Sequence, residues 1–278
     1  MRVAFFLSPW QSGEIRGRQI AGELEKRSFD VCIDPTVVYH NDICVFVKCF
    51  PTDEIVNRQL GRTIIDVVDA YGMMPWLKEH PTVELIAISD VQAKLFKTEF
   101  PGRKIWTIPE HHCNFEDARV QVWRPKWVGY IGCTDGFQLD RIDVARELKR
   151  VGMNFVFLET PFNRDEVCKF YRSIDLQLCF RKVSPFPEFK NPLKLANAGA
   201  FGIPTIAYPE AADDEFGRQN YVQISDFSEA ITWCSRLKDD DQLYQSLSAK
   251  ALAASSAYGI VNIINRWLKV LDGTVDSL

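Results

Sequence analysis

The chain has 278 residues, 46% of them hydrophobic and 25% charged, with a formal net charge of -4. That composition buries ordinary cores, and the acidic balance excludes a protein that coats nucleic acid or binds a membrane through basic charge. The length suits two modest domains. The opening stretch MRVAFFLSPWQSGE carries one arginine and a short apolar run, with no small-residue cleavage site behind it. No later segment approaches the roughly 18 uninterrupted apolar residues of a spanning helix. The expectation is a soluble, cytoplasmic protein with no integral membrane segment and no nucleic-acid partner. The eight cysteines form no CxxC pair and mostly sit in apolar runs such as DICVFVKCF and DLQLCF, the pattern of reduced, buried thiols. His111, His112 and Cys113 are too close in sequence to face one metal together, so no metal site is expected.

Strand-like and helix-like segments alternate. Val3 to Leu7 reads as a buried strand, followed by a loop through Ser12 and Gly13 and an amphipathic helix from Glu14 to Arg27. Strands are expected at Asp30 to Ile33, Ile43 to Phe50, Ile64 to Val68 and Leu85 to Ile88. A helix at Val91 to Phe100 precedes a strand at Lys104 to Ile108. Asn114 to Lys126 breaks the rhythm and reads as the connection between domains. The pattern restarts with a strand at Trp127 to Ile131 and a turn at Gly132 to Gly136. Helices at Asp140 to Arg150 and Asn163 to Arg172 alternate with strands at Phe155 to Leu158 and Leu176 to Phe180. Tyr221 to Ile224 is a late strand, and helices at Phe227 to Lys238, Asp241 to Ser255 and Ile260 to Leu271 close the chain. Continuous apolar strands separated by helices indicate parallel sheets covered on both faces.

The densest signal is PFPEFKNPLKLANAGAFGIPTIAYPE, Pro185 to Glu210. Asn191 reads as an N-cap with Pro192 at the first helical position, and Gly202 as the residue that ends the helix before a short buried strand. Lys190 and Lys194 put two cations at a helix N-terminus, which already carries partial positive charge. An anion there, phosphate above all, relieves the conflict; solvation of both lysines is the alternative. Ser12-Gly13, Asp69, His111, Gly132 to Thr134, Arg181-Lys182 and Lys190 to Lys194 all fall at expected carboxyl ends of strands, where open α/β sheets bind ligands.

At these residues the sequence resembles the GT-B glycosyltransferases, in particular the retaining group 1 (GT4-like) family. Ala198 to Ala207 resembles its glycine-and-proline signature, Lys190 to Leu195 its lead-in and Tyr208-Pro209-Glu210 its exit. Ile65 to Asp69, Ala87-Ile88-Ser89 and Ile108-Pro109 are similar to weaker motifs of its first half. The resemblance implies two Rossmann-like, doubly wound parallel-sheet domains facing across a cleft. These are an acceptor-side domain over residues 1–118, a donor domain over 119–255, and a closing helix over 256–278 that packs back toward the first. It also implies transfer of a sugar from a nucleoside diphosphate sugar, with UDP or GDP as carrier, to a hydroxyl of a glycan, lipid-linked or small-molecule acceptor. Neither cofactor nor metal is needed.

The implied donor set is Ser12, Gly13, Gly132, Thr134, Arg181, Lys182, Glu188, Lys190, Asn191, Lys194 and Asn197; Asp69 and His111 are the acceptor-side candidates. Asp69 is equally suited to capping the following helix, and His111 beside His112 also reads as surface polarity. Asn197 stands where the family carries a glutamate that holds the donor ribose. An amide still makes hydrogen bonds, but the change leaves room for another donor or for a protein that binds a nucleotide sugar without turnover. An epimerase or hydrolase on the same plan is a third reading.

Overall fold

The computed structural model describes residues 2–40, 42–52, 55, 61–119, 124–161, 163–181 and 184–273. It contains a six-stranded and a five-stranded sheet, every strand pair in them parallel. The first holds β1 (Arg2–Leu7), β2 (Asp30–Ile33), β3 (Ile43–Val47), β4 (Arg62–Asp66), β5 (Glu84–Ala87) and β6 (Ile105–Thr107), in the order β2-β1-β3-β4-β5-β6. The second holds β7 (Trp127–Ile131), β8 (Asn154–Leu158), β9 (Leu176–Cys179), β10 (Thr205–Ala207) and β11 (Val222–Gln223), in the order β11-β10-β9-β7-β8. In both, the first strand is flanked by the second on one side and the third on the other. Each sheet therefore has one place where its winding reverses, between β1 and β3 and between β7 and β9.

The chain divides into two units. One comprises Met1–Glu110, Glu188–Asn191 and Val261–Leu278; the other comprises His111–Pro187 and Pro192–Ile260. The division falls ahead of the expected boundary after residue 118, and the closing helix joins the first unit from Val261 rather than from residue 256. The return of residues 188–191 to the first unit has no counterpart in the sequence reading. Phe189 explains it: the side chain is buried in the first core, its ring 6.0 Å from Phe96.

Most helices begin where a capping side chain places them. α1 (Gln19–Glu25) continues a π-helical turn over Gly13–Arg18, not the single regular helix expected; an added Cβ at Gly17 would stand 2.1 Å from Leu7 Cδ2, so glycine lets the turn lie against β1. α2 (Met74–Glu79) follows a 3-10 turn. α3 (Asp90–Glu99), α4 (Arg141–Arg150), α5 (Arg164–Arg172), α7 (Phe227–Asp239) and α8 (Asp241–Ser255) are capped by Ser89, Asp140, Asn163, Asp226 and Asp240, each accepting from a first-turn N–H.

α6 (Leu193–Ala200) lies between α5 and α7 in sequence and differs from the expectation. Pro192, not Asn191, is its N-cap, because the Asn191 amide donates instead to Glu110 Oε2 at 2.5 Å. Its C-terminus is a Schellman turn: Ile203 N donates to Ala198 O (3.0 Å) and Gly202 N to Gly199 O (2.9 Å), with Gly202 at φ +74°. The small-residue face packs on α8, where a Cβ on Gly199 would meet Ala251 O at 2.6 Å.

α9 (Ile260–Asp272) buries Ile263, Ile264, Trp267, Val270 and Leu271. Among the described residues, Asp241–Asp272 is apolar and long enough to cross a membrane by composition, but the 3-10 turn Ser256–Tyr258 breaks it into α8 and α9, each with a buried face. Trp267 stacks obliquely on Phe5 of β1 (5.8 Å), and Arg62 Nη1 donates to Val270 O at 2.6 Å. Trp267→Ala should therefore lower unfolding stability by about 3–5 kcal/mol, read as a shift in urea midpoint.

Candidate functional site

Gly132 is the first residue beyond β7, at the reversal of the second sheet, where ligands of such sheets bind. Its φ of +148° favours glycine, and an added Cβ would stand 2.9 Å from Lys194 Nζ and 3.2 Å from Tyr130 Oη. Lys194, in the first turn of α6, thus reaches the end of β7. Its ammonium donates to Tyr130 Oη (3.3 Å) and lies 4.3 Å from the centre of that ring. Among the described residues no carboxylate pairs with it. Burial pushes the Lys194 pKa down to about 8, and Arg181 pushes the same way against Cys179. A tyrosine face and hydroxyl offset only part of the cost of burying a charge.

Gln177, fully buried in β9, fixes this geometry. Its amide donates to Lys194 O and Thr205 Oγ1, both at 3.0 Å, and its carbonyl accepts from Tyr171 Oη at 2.9 Å. Sequence reasoning missed Gln177; the signal was an amide at the centre of an otherwise apolar strand. Arg181 follows β9 on the other side of the reversal and forms an ion pair with Glu210. Burial alone would weaken the Arg181 proton, but Cys179, Glu210 and Asp213 outweigh it. Burial also lifts the Asp213 carboxyl to about 7, while its Oδ2 accepts from Glu210 N at 2.9 Å.

Thr134 gives its hydroxyl to Glu159 and receives a hydrogen bond from Arg141. Asn197 is buried, with Oδ1 accepting from Cys113 N at 2.7 Å. Glu188, Lys190 and Asn191 belong to the first unit and Lys194 to the second. Lys182 lies outside the described residues.

Ser12 and Gly13 stand at the reversal of the first sheet. Ser12 Oγ is 3.2 Å from Ser8 Oγ, and a Cβ on Gly13 would be 2.2 Å from Ser8 O, which only glycine avoids. Arg16, buried in the π-helical turn, meets Asp66 at 2.5 Å; among the described residues Arg16 Nη2 and Asp66 Oδ1 have no partner. Burial raises the Asp66 carboxyl against the pull of Arg16. Burial likewise lifts Glu110 to about 7, and Asp69 and Asp66 add to the rise while Arg16 opposes it.

Asp69 caps no helix. It pairs with Lys48 at 2.5 Å and is 43% exposed, since Ala70 occupies the cap position. His111 and His112 are both buried rather than on the surface. His111 Nδ1 lies 3.2 Å from His112 O and its ring 5.3 Å from Phe115, while burial lowers the His112 pKa.

These two like-ordered parallel sheets define a GT-B glycosyltransferase-like fold. HepE of Anabaena in complex with UDP superposes with a TM-score of 0.65 at 12% identity, over 98% of this chain and 100% of that one. WaaG, a glycosyltransferase involved in lipopolysaccharide biosynthesis, gives 0.60 at 10% identity, over 98% and 100%. TarM of S. aureus, in complex with Fondaparinux, alpha-GlcNAc-glycerol and UDP, gives 0.60 at 14% identity over 91% of this chain. The chain spans about three fifths of TarM (58%) and of the GtfA/B complex chain (60%). No family model matches the chain, and no curated protein matches its sequence.

The depressed lysine has a measurable consequence. With a folded pKa of about 8 against 10.5 for an ordinary lysine, the unfolded chain binds more protons between those values. Lys194 therefore makes stability rise with pH across that window. Comparing urea unfolding of the wild type and Lys194→Met from pH 7.5 to 10.5 isolates the term: stability should rise more with pH in the wild type than in the variant.

Proposed function

We propose that the protein transfers a sugar from a nucleoside diphosphate sugar, with uridine diphosphate as the first carrier to test, to an acceptor hydroxyl, without a metal and with retention at the anomeric carbon. The observation that carries this reading is Lys194: a half-buried ammonium with no carboxylate partner among the described residues, at the reversal of the second sheet. As the glycosidic bond breaks, negative charge grows on the departing diphosphate. A cation fixed there stabilises the transition state more than the ground state. Arg181 stands beyond the neighbouring strand, and Glu210 holds its guanidinium in place. The backbone of Gly132, free of any side chain, lets a phosphate approach closely. UDP bound to HepE and TarM supports the choice of carrier.

Asn197 favours a second reading, a nucleotide-sugar binder without turnover. Its carbonyl oxygen is engaged by Cys113 N in the core, at the position where the resemblance expects a ribose-holding carboxylate.

Thermal and chemical denaturation with nucleotides tests both. UDP at a hundredfold excess over Kd should stabilise the wild type by about 2.7 kcal/mol, and Lys194→Met should lose most of that gain. Affinity should fall as pH rises through about 8, where the ammonium loses its proton. If no nucleoside diphosphate stabilises the protein, the donor-site reading fails. If UDP-sugars bind but no acceptor ever releases UDP, the binder reading replaces the enzyme.

A further inference from the structure

Two thiols meet in the core of the second unit. Cys113, just after the chain enters that unit, and Cys168, in the middle of α5, are 8% and 4% exposed and pack in one apolar cluster with Tyr171, Ala198 and Phe201. Both are free thiols. Cys168 Sγ donates to Cys113 O at 3.3 Å, and the two side chains hydrogen-bond each other. The segment and the helix are joined at a second point. Arg164, one turn before Cys168, pairs with Glu116 and holds its guanidinium 4.3 Å from the centre of the Phe115 ring.

A thiol reacts as its thiolate, and the surroundings of this pair favour one. The hydrogen bond with Cys113 lowers the Cys168 pKa against the effect of burial. Arg164 and Arg172, on the same helix face to either side of Cys168, lower it further against Glu116. Cys113 moves the other way, raised by the same hydrogen bond and by burial. One sulfur is thus set up as a nucleophile and the other as its proton-bearing neighbour. The thiols of Cys32 and Cys49, by contrast, donate to the carbonyls of Val3 (3.8 Å) and Phe6 (3.3 Å).

We propose that Cys113 and Cys168 form a redox-modification site, at which a peroxide closes a reversible disulfide between the entry segment of the second unit and α5. The Cys168 thiolate attacks one oxygen of hydrogen peroxide and expels hydroxide, which takes up the proton that Cys168 gave up and leaves as water. A sulfenic acid remains on Cys168. The Cys113 sulfur then attacks the Cys168 sulfur, and the displaced hydroxide leaves as a second water with the Cys113 proton. Two thiols and one peroxide thus give one disulfide and two waters. Hydrogen peroxide is little larger than water, so the slight exposure of the two residues is enough to admit it. The bond closes a loop that contains β7, α4 and β8, which restricts the unfolded chain. Cys113 N is also the donor to Asn197 Oδ1 at 2.7 Å, so the disulfide would fix one side of that hydrogen bond. The site does not depend on the transferase reading above.

Peptide mapping of the full chain tests the site. Native protein is treated with hydrogen peroxide, the peroxide is removed with catalase, remaining thiols are alkylated in urea, and the chain is digested without reduction. A peptide pair joined through Cys113 and Cys168 is expected, and dithiothreitol should separate it. The pair should be absent from Cys168→Ser, and Cys113→Ser should accumulate a sulfenic acid on Cys168 that dimedone traps. Cys133→Ser, which removes an exposed thiol, should leave the link in place. Oxidised protein should also unfold at a higher urea concentration than reduced protein, a gain that dithiothreitol removes. Mapping of the unsubstituted chain decides the question if the serine variants do not fold. The proposal is overturned if Cys113 and Cys168 stay open to alkylation while Cys133 is oxidised, if the link forms only in urea, or if peroxide drives Cys168 to the sulfinic acid without linking it.

Discussion

A single ammonium, Lys194, sets the terms for the second unit. It is partly withdrawn from water and, among the described residues, has no carboxylate partner, so the surrounding residues hold it in place by other means. Gln177 clamps its backbone to β9 and β10, Tyr130 receives its head group, and Gly132 leaves the space in which the head group sits. The Schellman turn at Gly202 and the close contact of Gly199 with α8 fix the far end of the same short helix. A helix of barely two turns does not hold this cation by itself; its supports lie on four neighbouring elements, β7, β9, β10 and α8.

The first sheet has the same winding but a different electrostatic character. There the buried cation, Arg16, is matched by Asp66, and burial keeps Glu110 from ionising readily. The loops beyond this sheet expose aromatic rings, Trp10, Phe50 and Tyr71. Two like frameworks thus carry different groups at their carboxyl ends. The shared topology does not produce that difference. A few side chains do: a tyrosine and a glycine beside one lysine, an aspartate beneath one arginine.

Much of the fold was legible because its causes are local. Apolar runs gave the strands, amphipathic runs gave helices that Asp140, Asn163, Asp226 and Asp240 cap in the structure, and Gly202 marked a helix end because its φ suits glycine. What escaped sequence reasoning depends on partners far along the chain. Asn191 has every local feature of a cap, yet its amide is taken by Glu110. Lys190 and Lys194 look like a pair, but Phe189 draws the residues around it into the first core and separates them between units. His111 and His112 read as polar surface because nothing adjacent in sequence announces their burial; Tyr258, whose carbonyl accepts from His112 N, is far downstream. The site was half visible for the same reason: Gly132, Arg181 and Lys194 lie at strand and helix ends that pattern reveals, whereas Gln177 and Tyr130 matter only once the strands are side by side.

The path of the chain between the units bears on how the protein comes to be folded. It passes from one to the other after Glu110, after Pro187, after Asn191 and after Ile260. The first sheet is thus covered by residues remote from it in sequence: Phe189 follows residues 111–187 of the second unit, and Trp267 follows residues 192–260. Contacts so distant along the chain are slow to form, because loop closure must come before they reward folding. The core of the first unit therefore depends on the chain spanning both stretches of the second, whereas the second is interrupted only by residues 188–191.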